Sequence, residues 1–281
     1  MNHEKTVLCV VRHVLKEPYV TIQSQGQEKT WIAEKFPFGF NLVHMHGNQS
    51  GKFFTMFDNF HENIRLKHSY VSKIIGILED FFLYPILSYI PNLSVSKKMN
   101  SKYPVFQIKF VDIYLTIRWK FFAIFDYFIN QTNYDYLFIT TTNAYIRPKS
   151  LMKLIGNIPK NSIYTGAYTW PGAFFISGAN IILSRDVVVK LLNNRRIFRP
   201  SVIDDLELSN VLNKLGIKHF GRPLVNLSSE LELETISKNL LLDNYHFRMK
   251  TIGNRLDSEV NLMRKMHSVV KELERNGVSD V

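Results

Sequence analysis

Tyr134-Asp135-Tyr136-Leu137-Phe138-Ile139-Thr140 runs directly into Thr141-Thr142-Asn143, and Pro148 follows shortly after. The apolar and aromatic run reads as a strand. Pro148 suits the first turn of a helix, because its missing N–H has no partner there anyway, and that helix is expected to continue through Ile155. Toward the N-terminus, Asp112 to Phe128 has Leu115, Trp119, Phe122, Ala123 and Asp126 near helical spacing, and Val105 to Phe110 reads as a strand. Thr6 to Val11 and Phe38 to Met45 are further strands, joined by a polar stretch that holds a helix and ends at Lys29-Thr30-Trp31. Toward the C-terminus, Ile163 to Tyr168 and Phe174 to Leu183 read as strands, and Arg185 to Leu192 and Asp204 to Leu215 as helices. Gly216 ends the second of these helices, Ile217 to Phe220 is a late strand, and an amphipathic helix runs from about Leu256 to Arg275. Alternation of strand and helix predicts an α/β fold, with a mixed, mostly parallel, Rossmann-like sheet flanked by helices.

A chain of 281 residues fits one such domain, 1–281, with insertions. Residues 60–104 read as an apolar insertion. Ile74, Ile77, Leu78, Phe81, Phe82 and Leu87 crowd together there, Pro85 and Pro91 interrupt any helix, and Lys97, Lys98 and Lys102 follow. Two readings stay open, a helix packed on the core or an interfacial helix docked on an anionic membrane. Residues 221–281 read as a C-terminal extension carrying the amphipathic helix.

With 46% hydrophobic and 21% charged residues the chain has ample material for a core, and no stretch reads as disordered. Its one cysteine, Cys9, excludes an intramolecular disulfide and points to a reducing compartment. Val7 to Val11 is too short for a signal peptide, and no window reaches the roughly 18 apolar residues of a membrane span. The expectation is a cytoplasmic protein, peripheral at the inner face of a membrane if the insertion docks there. A net charge of +11 favours anionic partners, among them phosphates, nucleic acid and acidic membranes. No aromatic-basic motif of a nucleic-acid reader accompanies it, so nucleic acid is set aside.

Four segments carry the chemistry. They are Asp112-Ile113-Tyr114-Leu115-Thr116 with Lys120; the Tyr134–Ile146 stretch; Ser177-Gly178-Ala179-Asn180-Ile181-Ile182-Leu183-Ser184; and Ile203-Asp204-Asp205-Leu206-Glu207 before Leu215-Gly216-Ile217. Their order and spacing over residues 5–220 resemble the Fringe-like and β-1,3-galactosyltransferase-like group of GT-A glycosyltransferases. Lys29-Thr30-Trp31 is similar to a segment near the start of such proteins. The resemblance implies a GT-A fold and an inverting transfer of a sugar from a nucleotide-diphosphate donor, UDP-sugar first, to a glycan or glycolipid.

One departure is sharp. Where the group carries an acidic triplet, this chain has Thr141, Thr142 and Asn143. A divalent ion bridging two phosphates wants hard anionic oxygens, whereas two hydroxyls and an amide offer only dipoles. Mn2+ or Mg2+ is therefore disfavoured here, no residue is assigned as a metal ligand, and the turn is left to hydrogen-bond the donor. Cations must then offset the charge building on the leaving diphosphate. In Tyr245-His246-Phe247-Arg248-Met249-Lys250, three potentially cationic side chains alternate and would share one face of an extended segment. An ordinary solvated edge strand is the plainer reading of the same residues. The candidate donor-phosphate set is thus Arg12, Lys120, Thr141, Thr142, Asn143, His246, Arg248 and Lys250, with Arg147 a further cation.

An inverting transfer also needs a carboxylate to take the proton of the attacking hydroxyl. By the resemblance Asp205 is that base and Asp204 its catalytic neighbour, although Asp204 also suits a helix N-cap. Trp170 and Gly178 are the candidate acceptor-binding residues, since an indole can stack on a sugar face. His44, His46, His61 and His68 lack metal-ligand spacing and read as structural or surface residues. Loss of the acidic triplet keeps a second function in play, a catalytically inactive GT-A domain that binds a glycan or a partner.

Overall fold

The computed structural model describes residues 4–48, 95–98, 103–111, 117–169, 172–199, 204–253 and 255–276. An eight-stranded sheet holds β1 (Val7–Arg12), β2 (Phe40–Asn48), β3 (Val95–Lys98), β4 (Val105–Val111), β5 (Tyr136–Thr141), β7 (Tyr164–Tyr168), β8 (Asn180–Ser184) and β9 (Phe220–Pro223). Its order is β3-β4-β2-β1-β5-β8-β7-β9. β4, β2, β1 and β5 are parallel neighbours, as are β7 and β9, while β3 and β8 run antiparallel. A second sheet joins β6 (Ala144–Ile146), β10 (Val225–Leu227) and β11 (His246–Met249) in the order β10-β11-β6. This is the mixed, mostly parallel α/β sheet that the sequence predicts.

β1 shows why the sheet lies where it does. Val7, Cys9 and Val11 enter a core on one face and Leu8 and Val10 a core on the other, so the apolar run is continuous rather than alternating. The Leu8 face is covered by α1 (Ile117–Gln131), α3 (Arg185–Asn193) and α4 (Asp204–Lys214) through Phe121, Phe125, Val188, Leu208 and Leu212. The Val7 face is covered by α2 (Pro148–Asn157), the small sheet and α7 (Arg255–Arg275) through Leu151, Phe247, Met263 and Met266. Two short helices, α5 (Glu230–Thr235) and α6 (Lys238–Asp243), have Ser229 and Ser237 as N-caps, each accepting a backbone N–H. Arg185 donates to the carbonyls of Phe128, Ile129 and Thr132 and so closes the C-terminal end of α1 with a cation.

Several boundaries differ from the sequence reading. Residues 174–179 are not strand. Ser177 donates its N–H to Ala167 O, and Asn180 turns back on Ser177 O at 2.9 Å, so β8 starts only at Asn180. The late strand sits at Phe220–Pro223, because residues 216 and 217 are spent on ending α4. Gly216 takes φ +74°, its N–H reaches Asn213 O, and Ile217 N–H reaches Leu212 O. The polar stretch after β1 forms short helical turns over Tyr19–Ala33 rather than one helix. A boundary at 221 has no counterpart in the packing. Leu227, Leu241, Phe247, Met263 and Val270 share one core with Val7 and Phe138, so the described residues 221–253 and 255–276 pack into the domain. Most of the 60–104 insertion lies outside the described residues, and Lys97 and Lys98 fall in edge strand β3. Among the described residues no helix is long and apolar enough to cross a membrane.

Candidate active site

β1 hydrogen-bonds to β2 on one side and β5 on the other, and Arg12 is level with Met45 and Thr141. The chain thus leaves β1 in one direction and returns to its other flank later. In open α/β sheets such a switch point leaves a crevice off the carboxyl ends of the strands. Arg12 closes β1 at that edge. Its Nη1 donates to Asp204 Oδ2 at 2.8 Å and its Nη2 to Gly178 O at 2.7 Å, while its guanidinium lies 4.5 Å from the centre of the Phe121 ring.

Asp204 and Asp205 occupy the first turn of α4, and Gly178 lies in the turn before β8. Asp205 Oδ2 accepts the Gly178 N–H at 2.9 Å, and Oδ1 accepts the Leu206 N–H at 2.9 Å. Four residues from three separate parts of the chain therefore form one constellation. Gly178 is its tightest point, since a Cβ there would stand 2.8 Å from Arg12 Nη2 and 3.5 Å from Asp205 Oδ2. The two carboxylates are not equivalent. Asp204 spends its charge on Arg12 and is the first helical residue, which replaces the N-cap reading. Burial, and then the neighbouring Asp204, push the Asp205 carboxyl above its ordinary range, against the pull of the Gly178 N–H and Arg12.

The Thr141–Asn143 turn has a structural role of its own. Asn143 Nδ2 donates to Met249 O at 2.7 Å, Thr141 Oγ1 donates to Asn143 Oδ1 at 2.8 Å, and Met249 N–H returns to Asn143 O at 2.8 Å. Gln27 Nε2 holds the same turn through the carbonyls of Thr141 and Ala144. Thr142 and Asn143 are buried. The turn is a splice between the two sheets, with its amide already committed. An aspartate at 143 would set a carboxylate oxygen against the Met249 carbonyl, so an amide is what this splice accepts. The donor set does not fit a divalent cation, and the described residues hold no group of three or more acidic, His or Cys side chains able to bind a metal.

The cationic segment is also corrected. His246 is buried, with Nε2 3.3 Å from Thr140 Oγ1, and burial lowers its pKa to about 3. Its ring is therefore held neutral and brings no charge to the segment as it stands. Lys250 lies beyond the end of β11 and is exposed, and β11 is the central strand of its sheet rather than an edge. Arg248 alone remains as the segment's cation at the crevice. It feels the charges of Arg255, Glu259 and Arg12, and its buried Nε has no hydrogen-bond partner. Lys120 is buried, with Nζ donating to His13 O at 3.0 Å, and Arg147 is spent on Leu241 O and Glu274. Trp170 lies outside the described residues.

Sequence reading missed two features beside the crevice. Arg255 pairs through Nε with Glu259 Oε1 at 2.7 Å and through Nη1 with Tyr19 at 3.2 Å, and the i,i+4 spacing of Arg255 and Glu259 was its available signal. His13, just past β1, and His44 and His46, within β2, are all buried, with the His13 and His46 rings 6.1 Å apart. Of the two readings the sequence leaves for His44 and His46, structural or surface, burial selects the structural one.

No protein-family model and no curated protein sequence matches the chain. Among solved structures it is similar to the glycosyltransferase GlyE of Streptococcus pneumoniae TIGR4, at 9% identity and a TM-score of 0.44, over 98% of this chain and 65% of that one. The apo form of the same enzyme gives 7% identity and a TM-score of 0.45, over 99% and 65%. The mannosyltransferase PcManGT from Pyrobaculum calidifontis, in complex with GDP-Man and Mn2+, gives 11% identity and 0.44, over 98% and 66%. The chain thus spans just under two thirds of the length of these structures. At these values the similarity carries no argument about chemistry, which rests on the side chains.

Proposed function

We propose that the chain is an inverting glycosyltransferase that uses a nucleotide-diphosphate sugar, UDP-sugar by resemblance, without a metal ion. The observation that carries this reading is Asp205, a half-buried carboxylate with a raised pKa and no cation of its own, fixed by Gly178 beside the Arg12–Asp204 pair. In the reaction an acceptor hydroxyl of a glycan or glycolipid gives its proton to the Asp205 carboxylate as its oxygen attacks the anomeric carbon. The bond from that carbon to the diphosphate breaks, and the electron pair leaves on the nucleoside diphosphate. Arg248 faces the growing negative charge, beside the Arg12–Asp204 ion pair that neutralises itself. As a preorganised cation it needs no reorganisation during the step.

The decisive experiment measures donor hydrolysis and transfer with and without chelator, for wild type and Asp205→Asn. Activity that survives chelation and disappears in the variant supports the proposal. Activity abolished by chelator removes the metal-independent part, and an absence of nucleotide-diphosphate binding by calorimetry removes the enzyme.

A further inference from the structure

At the opposite edge of the sheet the chain presents an aromatic side chain on a rigid support. Phe36-Pro37-Phe38-Gly39-Phe40 makes a tight turn into β2, closed by Phe40 N–H to Pro37 O at 3.2 Å. Gly39 takes φ +79°, and a Cβ there would stand 2.9 Å from Lys5 O. Val7 N–H donates to Gly39 O at 2.8 Å, which ties the turn to β1. On either side of the tip the chain is anchored, because the Phe36 ring packs on Phe40 at 4.9 Å and on Tyr103 at 5.7 Å. Phe38, between them, is 78% exposed.

An open cavity of about 830 Å³ adjoins this tip, with Lys35, Lys149 and Lys271 in its wall beside Glu34. Lys271 is held by Glu34 at 2.5 Å and Glu274 at 2.9 Å, whereas Lys35 and Lys149 are exposed. The local balance is therefore positive, on a chain whose net charge is already +11. Here one protruding ring stands beside a hollow whose wall includes Phe36 and Pro37, with ammonium groups around it, and an apolar tip ringed by cations is the pairing that an anionic bilayer surface complements.

We propose that this edge docks on an anionic phospholipid surface, with Phe38 entering the boundary of the acyl chains and Lys35 and Lys149 meeting headgroup phosphates. The preset turn means that little conformational freedom is lost on insertion. β1 spans about 20 Å at the usual rise per residue, so the Arg12–Asp205 crevice faces away from the membrane. Acceptors are then reached in solution or at the far end of a long lipid-linked chain. The docking stands independently of the transfer chemistry.

Sedimentation of the full chain with phosphatidylglycerol-containing vesicles, against phosphatidylcholine vesicles, tests it. Wild type should partition to the anionic vesicles and lose that partition as salt rises. Phe38→Ser should weaken it about tenfold or more, from the lost burial of one ring, with an unchanged thermal midpoint. Lys35→Gln and Lys149→Gln should each weaken it about fivefold, on anionic vesicles only. Phe38→Trp should keep binding and be quenched by brominated acyl chains. Failure of wild type to sediment, or sedimentation of Phe38→Ser equal to wild type, overturns the proposal. Binding to a single-stranded oligonucleotide in place of vesicles overturns it too. Transfer to a soluble acceptor by Phe38→Ser should equal wild type, which separates this test from the catalytic one.

Discussion

Arg12 and Asp204 form a nearly dry ion pair, 2.8 Å from Nη1 to Oδ2, with side chains only 8% and 10% exposed. Breaking such a pair leaves a buried charge without its partner, which costs about 3 kcal/mol or more. Asp204 is also the like charge that helps to raise the Asp205 pKa. Asp204→Asn should therefore lower stability by about that amount and shift Asp205 toward its ordinary range. A base works when it is ionised, so the acid limb of the kcat/KM profile should move to lower pH in the variant. A limb that stays in place while stability falls would separate Asp204 from the proton chemistry.

Gly178→Ala tests the same constellation from the other side. The new Cβ would press on Arg12 Nη2 at 2.8 Å, the far end of a long side chain, so the fold can yield at small cost. The guanidinium cannot yield without loosening Asp204. The expected result is a thermal midpoint within a few degrees of wild type and a loss of kcat/KM of about a hundredfold, since misplacement by an ångström costs on that order. Full activity in Gly178→Ala would show that Arg12 need not be held where it is.

The layers of the fold were legible in the sequence because they rest on local signals. β1 and β5 are apolar runs, Pro148 opens α2, and Gly216 ends α4. The site was legible only in part. Asp204, Asp205 and Gly178 lie in the motifs and Arg12 in none, and their mutual hydrogen bonds depend on where β8 begins, which the turn at Ser177–Asn180 sets. The alternation of His246, Arg248 and Lys250 was readable, whereas their charge states were not. Period-2 spacing says which residues share a face and nothing about whether that face is dry. Burial makes His246 neutral, and the end of β11 removes Lys250 from the face.

Asn143→Asp restores one carboxylate where the resembled family has its acidic triplet. The Asn143 amide donates to Met249 O at 2.7 Å, and a carboxylate there would replace a donor with an acceptor. The variant should lose about 1–3 kcal/mol, the cost of a buried carbonyl left without its partner, read as a lower thermal midpoint. It should gain no stimulation by Mn2+. Manganese-stimulated transfer by Asn143→Asp would show that the splice can double as a metal site.

The buried His13 and His44 should make the fold sensitive to acid. Burial lowers the pKa of His44 to about 4 and that of His13 to about 3, with His46 adding to both and Lys120 to His13. The unfolded chain takes up protons on these rings below about pH 6.5, and the folded chain does not until their lowered values. Their contribution to stability is therefore complete above pH 6.5 and is lost as pH falls toward 4, by about 3 kcal/mol for His44 alone. Both ring nitrogens of His44 are buried without a hydrogen-bond partner, so an apolar residue of similar size loses no bond. His44→Leu should match or exceed wild type in denaturant midpoint at pH 7.5, because an orphaned polar group is removed. Between pH 6.5 and 4 its stability should fall less steeply than that of wild type. Parallel curves for the two proteins across that window would mean that His44 is protonated in the folded state or reaches solvent.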